Sequence, residues 1–355
     1  MPDSLTTSAT SAGSGDRVTP PDDMNLIVSP VGPDADLRGA LEDLKLGRFA
    51  STHDLLVRTG ENWSLRARRA QQLVAGASDR SVIKMWRDVE PNNAHAVTLW
   101  ARALTEAALE LNRGGGNTST VGRAMAMAYQ EWKRAQSLWP KSPEPWIGRL
   151  QLAQLVLDPR AVDPYWNRRI QPWERLDDPV MHLAGPWPLL HEINWRDPGS
   201  REGHHRMREY FLHRHGTAVA LQYVHWLVAG RVVNPELLVL PLYALMDVYR
   251  QRHGQGQAGA LGFFQTDQVR HFAVQAYDQW FLHVPDTEHA WLSPWDLNYL
   301  AHALVACGET HRAARVFQAM GPYAVPQPWQ DINASLGRSK DWTLEFLRIR
   351  SSVLR

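Results

Sequence analysis

One cysteine, Cys307, stands in a chain of 355 residues. It excludes any internal disulfide, which fits a reducing compartment and a cytoplasmic location. No apolar run approaches the roughly 20 residues needed to cross a bilayer, so no membrane segment is expected. Charge of one sign is also missing: 38 basic residues face 37 acidic ones, a formal +1. No bulk field would draw such a chain to nucleic acid or to an anionic membrane. The N-terminus has neither a basic n-region nor an apolar h-region, so a secretory signal is not expected. Alternating strand patterns are lacking. So are a phosphate-binding G-x-x-x-x-G-K-[ST] loop and any local Ser-His-Asp or Cys-His signature. No cofactor and no metal are expected.

What is present is apolar surface and helical period. Apolar residues make up 44% of the chain, and sixteen of them are tryptophans. Residues 1–36 are rich in Ser, Thr, Gly, Pro and Asp and are expected to form a disordered tail. Leu26-Ile27-Val28 is its one apolar patch, either docked on the body or simply an exposed run. From Leu37 the period becomes helical, with short helices around Gly47 and after the Gly60 turn. Ala94–Leu111 and Gly122–Trp139 read as strong helices, the second with Tyr129, Trp132, Ala135 and Trp139 along one side. Pro140 stops it, and Trp146 opens the next. Residues 158–200 are irregular, with Trp166, Trp173, Trp187 and Trp195 among seven prolines. Helix returns at Arg201–His215, Ala218–Leu227, Pro235–Arg252 and Thr266–His283, and a glycine/glutamine linker runs from Gly254 to Gly262. Asp341–Val353 closes the series.

The stretch Leu297–Phe317 carries the clearest pattern. Leu297, Leu300, Ala301 and Leu304 share a helical face, Gly308 breaks the helix, and Ala313 and Phe317 resume an apolar face. Large and small residues around a glycine turn are how a tetratricopeptide hairpin is written, and such a hairpin needs stacked neighbours to bury its face. With the Trp132–Trp146 phrase, it resembles a tetratricopeptide-like α-helical repeat protein. L-K-L-G-R-F-A at Leu44–Ala50, L-N-R-G-G-G at Leu111–Gly116 and H-R-M-R-E-Y-F at His205–Phe211 are similar to an uncharacterised family of such proteins in actinobacteria. The resemblance implies an all-α fold, a degenerate helical-hairpin solenoid with an irregular Pro/Trp-rich middle. It implies no reaction. Pro91 to Pro140 is too long for one standard repeat of about 34 residues. Arg149 also stands where the pattern wants an apolar side chain. The expected division is a tail at 1–36, helical repeats at 37–157, the insert at 158–200 and further repeats at 201–355.

Few constellations could carry chemistry. His205, Glu209 and His213 recur at four-residue steps on one helical face, a donor set that could bind a divalent metal. The outer two would lie about 12 Å apart along the axis, which is too far for one ion, and a solvated polar face is the simpler reading. The loop Asn112–Thr120 could hold a phosphate at a helix N-terminus, although plain capping explains it. Asp177-Asp178 reads as a turn or cap. The basic run Arg58, Arg66, Arg68, Arg69, Arg80, Lys84 and Arg87 reads as a solvated face. Cys307 reads as a buried structural thiol.

Two functions follow as expectations. The first is an interaction module holding a protein or peptide partner in a concave face. The alternative is an α-helical enzyme or small-molecule binder, with a Trp/His-lined pocket under the 158–200 segment. The candidate ligand-binding residues are Arg113, Trp132, Trp146, Trp173, Trp187, His205 and Glu209. An enzyme should show an enclosed pocket with convergent charged groups; a scaffold should show an open groove.

Overall fold

Helices dominate, as the 3.6-residue period requires. The computed structural model describes residues 26–77, 79–155, 183–230, 232–253, 260–337 and 341–355. Most of the expected tail, Trp166, Trp173, Asp177-Asp178 and most of the 254–262 linker lie outside them.

The N-terminal helices are α1 (Ala35–Lys45), α2 (Ala50–Thr59), α3 (Trp63–Gly76), α4 (Ser81–Val89), α5 (Ala94–Arg113), α6 (Thr118–Leu138) and α7 (Glu144–Leu152). Their starts follow capping chemistry: Asp34, Asn62, Asn93 and Asn117 accept backbone N–H groups at the first turns of α1, α3, α5 and α6. The Asn112–Thr120 loop thus ends in a cap. Trp132 is fully buried and donates to Thr105 Oγ1 at 2.8 Å. It fits because residue 148 is glycine: a Cβ there would lie 2.0 Å from Trp132 Cε2. Arg149 is buried rather than misplaced, with its guanidinium over the rings of Trp146 and Tyr129 at 4.7 and 5.3 Å.

Past residue 182 come α8 (Trp187–Arg196), α9 (Arg201–His215), α10 (Thr217–Ala229), α11 (Leu240–His253) and α12 (Asp267–Gln279). The last four are α13 (Pro294–Ala306), α14 (Thr310–Met320), α15 (Trp329–Ser335) and α16 (Trp342–Leu354). The α13–α14 hairpin has the expected form. Ser293 caps it, Pro294 opens it, and Gly308 turns with φ +78°. Leu297, Leu300, Leu304, Ala313 and Phe317 are buried. Among the described residues no helix is long and apolar enough to cross a membrane.

One feature departs from a strand-free chain. Ile27–Val28 (β1) pairs in parallel with Tyr323–Ala324 (β2). Ile27 N donates to Pro322 O at 2.8 Å and Ser29 N to Ala324 O at 3.1 Å. Two paired residues are below what a periodic pattern can reveal. The apolar patch is therefore docked through its backbone, while the Ile27 and Val28 side chains stay exposed. Arg38 also donates to the Tyr323 hydroxyl, and a Cβ on Gly32 (φ +65°) would meet Pro294 Cγ at 2.7 Å. The N-terminal arm thus fastens onto the C-terminal hairpin, so the helical succession closes on itself around a central cavity.

Candidate functional site

That cavity has a volume of about 550 Å³. Its wall joins α3 to α9, α11 and α13, so it exists only because the succession closes. The organising element is α9, capped by Ser200. Its apolar face, Met207, Tyr210 and Phe211, enters the core. Gly203 lets it lie close to α8, since a Cβ there would sit 2.7 Å from Ile193 Cγ2. Its charged face then turns inward. The solvated-face reading of this helix is corrected: Glu202, His204, Arg206 and Arg208 are buried, and only His213 and His215 of the charged and histidine side chains are exposed. The same holds for part of the basic run. Arg66 and Arg69 are buried, and only Arg58 and Lys84 of that run are exposed.

Burial of so many charges demands pairing, because an isolated buried ion costs several kcal/mol. Two connected strings supply it. In the first, Arg66 Nε donates to Glu144 at 2.7 Å. Glu144 faces Arg102 at 3.6 Å, and Arg102 grips Glu202 in a two-point contact of 2.7 and 3.2 Å. Arg206 then bridges Glu202 at 3.1 Å and Glu209 at 2.8 Å. The second string starts where Arg201 meets Asp296, which also accepts from the Tyr243 hydroxyl at 2.5 Å. Arg208 meets Asp247, and Arg250 bridges Asp247, Asp331 and the Tyr299 hydroxyl. Helical spacing places Arg201, His205 and Arg208 at i, i+4 and i+7 across the Tyr243 ring, at 5.4, 5.2 and 5.6 Å. Tyr243 in turn stacks on Tyr299 at 4.0 Å.

Proton affinities follow from these contacts. Burial opposes the Glu202 charge, but Arg102 and Arg206 outweigh it and hold its pKa down to about 2. Against the same burial, Arg206, His205 and Arg208 keep Glu209 well below the usual carboxylate range. Burial pushes His205 down to about 4 despite Glu209 at 3.4 Å, so the ring is neutral at pH 7. A proton on Nε2 serves that contact and leaves Nδ1, which has no partner, as a bare acceptor.

Arg68 differs from the other arginines. It lines the cavity, and its Nη2 is enclosed with no hydrogen-bond partner. Burial lowers its pKa to about 10, with Glu236, Asp34 and Asp296 opposing from a distance. Two carboxylates of the wall also lack an ion pair. Glu236 accepts from Ser64, and burial raises the pKa of Asp197, which Ser200 partly offsets. Among the described residues the wall therefore presents two cations without an ion pair, Arg68 and the exposed Arg113, whose Nε donates to Leu109 O at 3.4 Å, and two carboxylates held by hydroxyls.

Of the residues expected to bind a ligand, the cavity brings together Arg113, His205 and Glu209. Trp132, Trp146 and Trp187 are core residues, and Trp187 donates to Leu183 O at 2.8 Å. Trp173 lies outside the described residues. Among those residues no three His, Cys, Asp or Glu side chains are grouped so as to hold a metal ion. Sequence reasoning missed Arg68, Asp197, Glu236, Tyr243 and Asp296. A local signal existed for Arg66 and Arg69, which fall within the apolar arc Leu65, Ala67, Ala70, Leu73 and Val74 of α3, but not for Arg68, which falls on the opposite side. No protein-family model matches the chain, and no curated protein matches it.

Proposed function

We propose that this chain is a tetratricopeptide-like recognition module that takes a short charged stretch of a peptide or protein partner into its central cavity. The observation that carries this reading is Arg68, whose Nη2 is enclosed in the cavity wall without a hydrogen-bond partner. A buried donor left unpaired costs about 1–3 kcal/mol, and more when charged, so an acidic group from a ligand would recover it. Glu236 and Asp197, near enough to act on one another electrostatically, would take a basic group of the same ligand. The volume, within the roughly 300–1,000 Å³ of small-ligand sites, suits a few residues rather than a long helix. The proposed binding surface is thus a central cavity partly open to solvent rather than a long concave groove.

The catalytic alternative gains less support. His205 is the best base on the wall, but its free Nδ1 is enclosed against the Tyr243 ring.

Calorimetry with tetrapeptides tests the proposal. One carries adjacent Lys and Glu, and its control carries Gln at both positions. The charged peptide is expected to bind at least about tenfold more tightly, the minimum for a charge-assisted contact. Arg68→Met should remove most of that difference. Equal binding of both peptides, or binding of neither, contradicts the proposal.

A further inference from the structure

A second pocket lies apart from the central cavity, between α13, α15 and α16. Its volume is about 380 Å³. Phe264, Val305, Ile332, Leu336 and Ile349 give it a mainly apolar wall. At the mouth, Arg348 and Glu345 satisfy each other through two contacts of 2.8 and 2.7 Å, so no charge there calls for a ligand ion. His302 is buried between Phe264 and Trp329, ring centroids 4.8 and 5.2 Å away, and burial holds its pKa near 4, leaving it neutral.

Asn333 breaks this apolar economy. It lines the pocket, is 3% exposed, and neither its Oδ1 nor its Nδ2 has a hydrogen-bond partner. Trp329 Nε1 is engaged elsewhere, donating to Asn298 Oδ1 at 2.8 Å, and Asn298 Nδ2 donates to Pro294 O at 2.6 Å. A buried carboxamide missing both partners is costly and calls for an explanation. Gln265, His302, Glu345, Arg348 and Ser352 also line the pocket, but none of them bonds the Asn333 carboxamide. A carboxamide presents a donor and an acceptor side by side in one plane. Its complement is an N–H and a C=O on the same edge of a flat group. Secondary amides in open chains are trans and cannot offer that edge, whereas a ring fixes it.

We infer that the α13–α15–α16 pocket is a binding site for a flat, uncharged cyclic amide, whose cis-amide edge pairs with Asn333 and whose ring packs on the apolar wall. This site is independent of the charged cavity and of any peptide bound there.

Ligand-observed NMR on the full chain tests it with three probes: 2-pyridone, N-methyl-2-pyridone, in which the donor is blocked, and toluene. The wild type should bind 2-pyridone saturably and at least about tenfold more tightly than the other two, the discrimination of a two-point amide pair. Asn333→Leu removes two orphaned groups and should fold, and in it the preference for 2-pyridone should vanish. Ala306→Phe, which leaves Asn333 in place and narrows the pocket from α13, should abolish binding of all three. Equal binding of the probes to the wild type, a preference that survives in Asn333→Leu, or no saturable binding of 2-pyridone overturns the inference.

Discussion

Replacing Glu202 by glutamine keeps the shape of the side chain and removes its charge. In the native protein its carboxylate takes two contacts from Arg102 and one from Arg206. Glutamine can satisfy only one oxygen's worth of these, and its amide turns donors toward a guanidinium that has only donors. Arg102, itself enclosed, is then left with Glu144 at 3.6 Å. The magnitude can be worked from proton affinity. Glu202 titrates at about 2 rather than 4.5, and each tenfold change in affinity is worth about 1.4 kcal/mol. The charged contacts therefore contribute about 3 kcal/mol, the size expected when one partner of a buried pair is lost. Because the folded pKa is depressed, this stabilisation is complete above pH 4.5 and disappears as pH falls toward 2. Urea unfolding of wild type and Glu202→Gln across pH 2.5–7 reads it directly, and the buried histidines cancel in the difference. The variant should be less stable by about 3 kcal/mol at pH 7, with the gap closing in acid. A gap that stays constant with pH, or is absent at pH 7, refutes the buried-string reading of α9.

Three further outcomes are expected. Gly148→Ala forces a Cβ to within 2.0 Å of Trp132 Cε2 and should cost about 1–3 kcal/mol or more by overpacking; an unchanged urea midpoint would count against the close α6–α7 contact. Gly32→Ala strains a positive φ and pushes on Pro294, so amide exchange at Ile27 and Ser29 should accelerate while α5 and α6 keep their protection. If those two amides exchange as in the wild type, the arm is not held by this contact. Burial raises the Cys307 thiol, which donates to Phe264 O at 3.1 Å, to about 11. Iodoacetamide should therefore label it far more slowly at pH 8 than it labels glutathione, and labelling as fast as glutathione, read by intact mass, contradicts the raised, half-buried thiol.

How much could be read from sequence depended on the range of the physics. The α13–α14 hairpin was legible because its cap, proline and glycine turn are local to Ser293–Gly308. The span of α9 was legible for the same reason, from Ser200 to Gly216. Its burial was not, because several of its charges are answered from far away: Glu202 by Arg102 from 100 positions back, Arg201 by Asp296 from 95 on, and Arg208 by Asp247 from 39 on. A charged helix looks solvated until those partners are in place. The tryptophans misled in the opposite sense. Trp132, Trp146 and Trp187 are used as core, and the tryptophans that do line the cavity are Trp63, Trp280 and Trp295, set among arginine, carboxylate and tyrosine side chains. The closing arm, two residues of parallel ladder, carries no periodic signal at all.

Arg68 is proposed to read an acidic group inside the central cavity. The most direct test is selection from a random tetrapeptide library on immobilised full-length protein, wild type against Arg68→Met, with bound peptides sequenced by mass spectrometry. The account predicts enrichment of peptides pairing an acidic with a basic residue on the wild type, and loss of the acidic preference in the variant. Identical peptide profiles from the two proteins, or no enrichment of charge on the wild type, would contradict it.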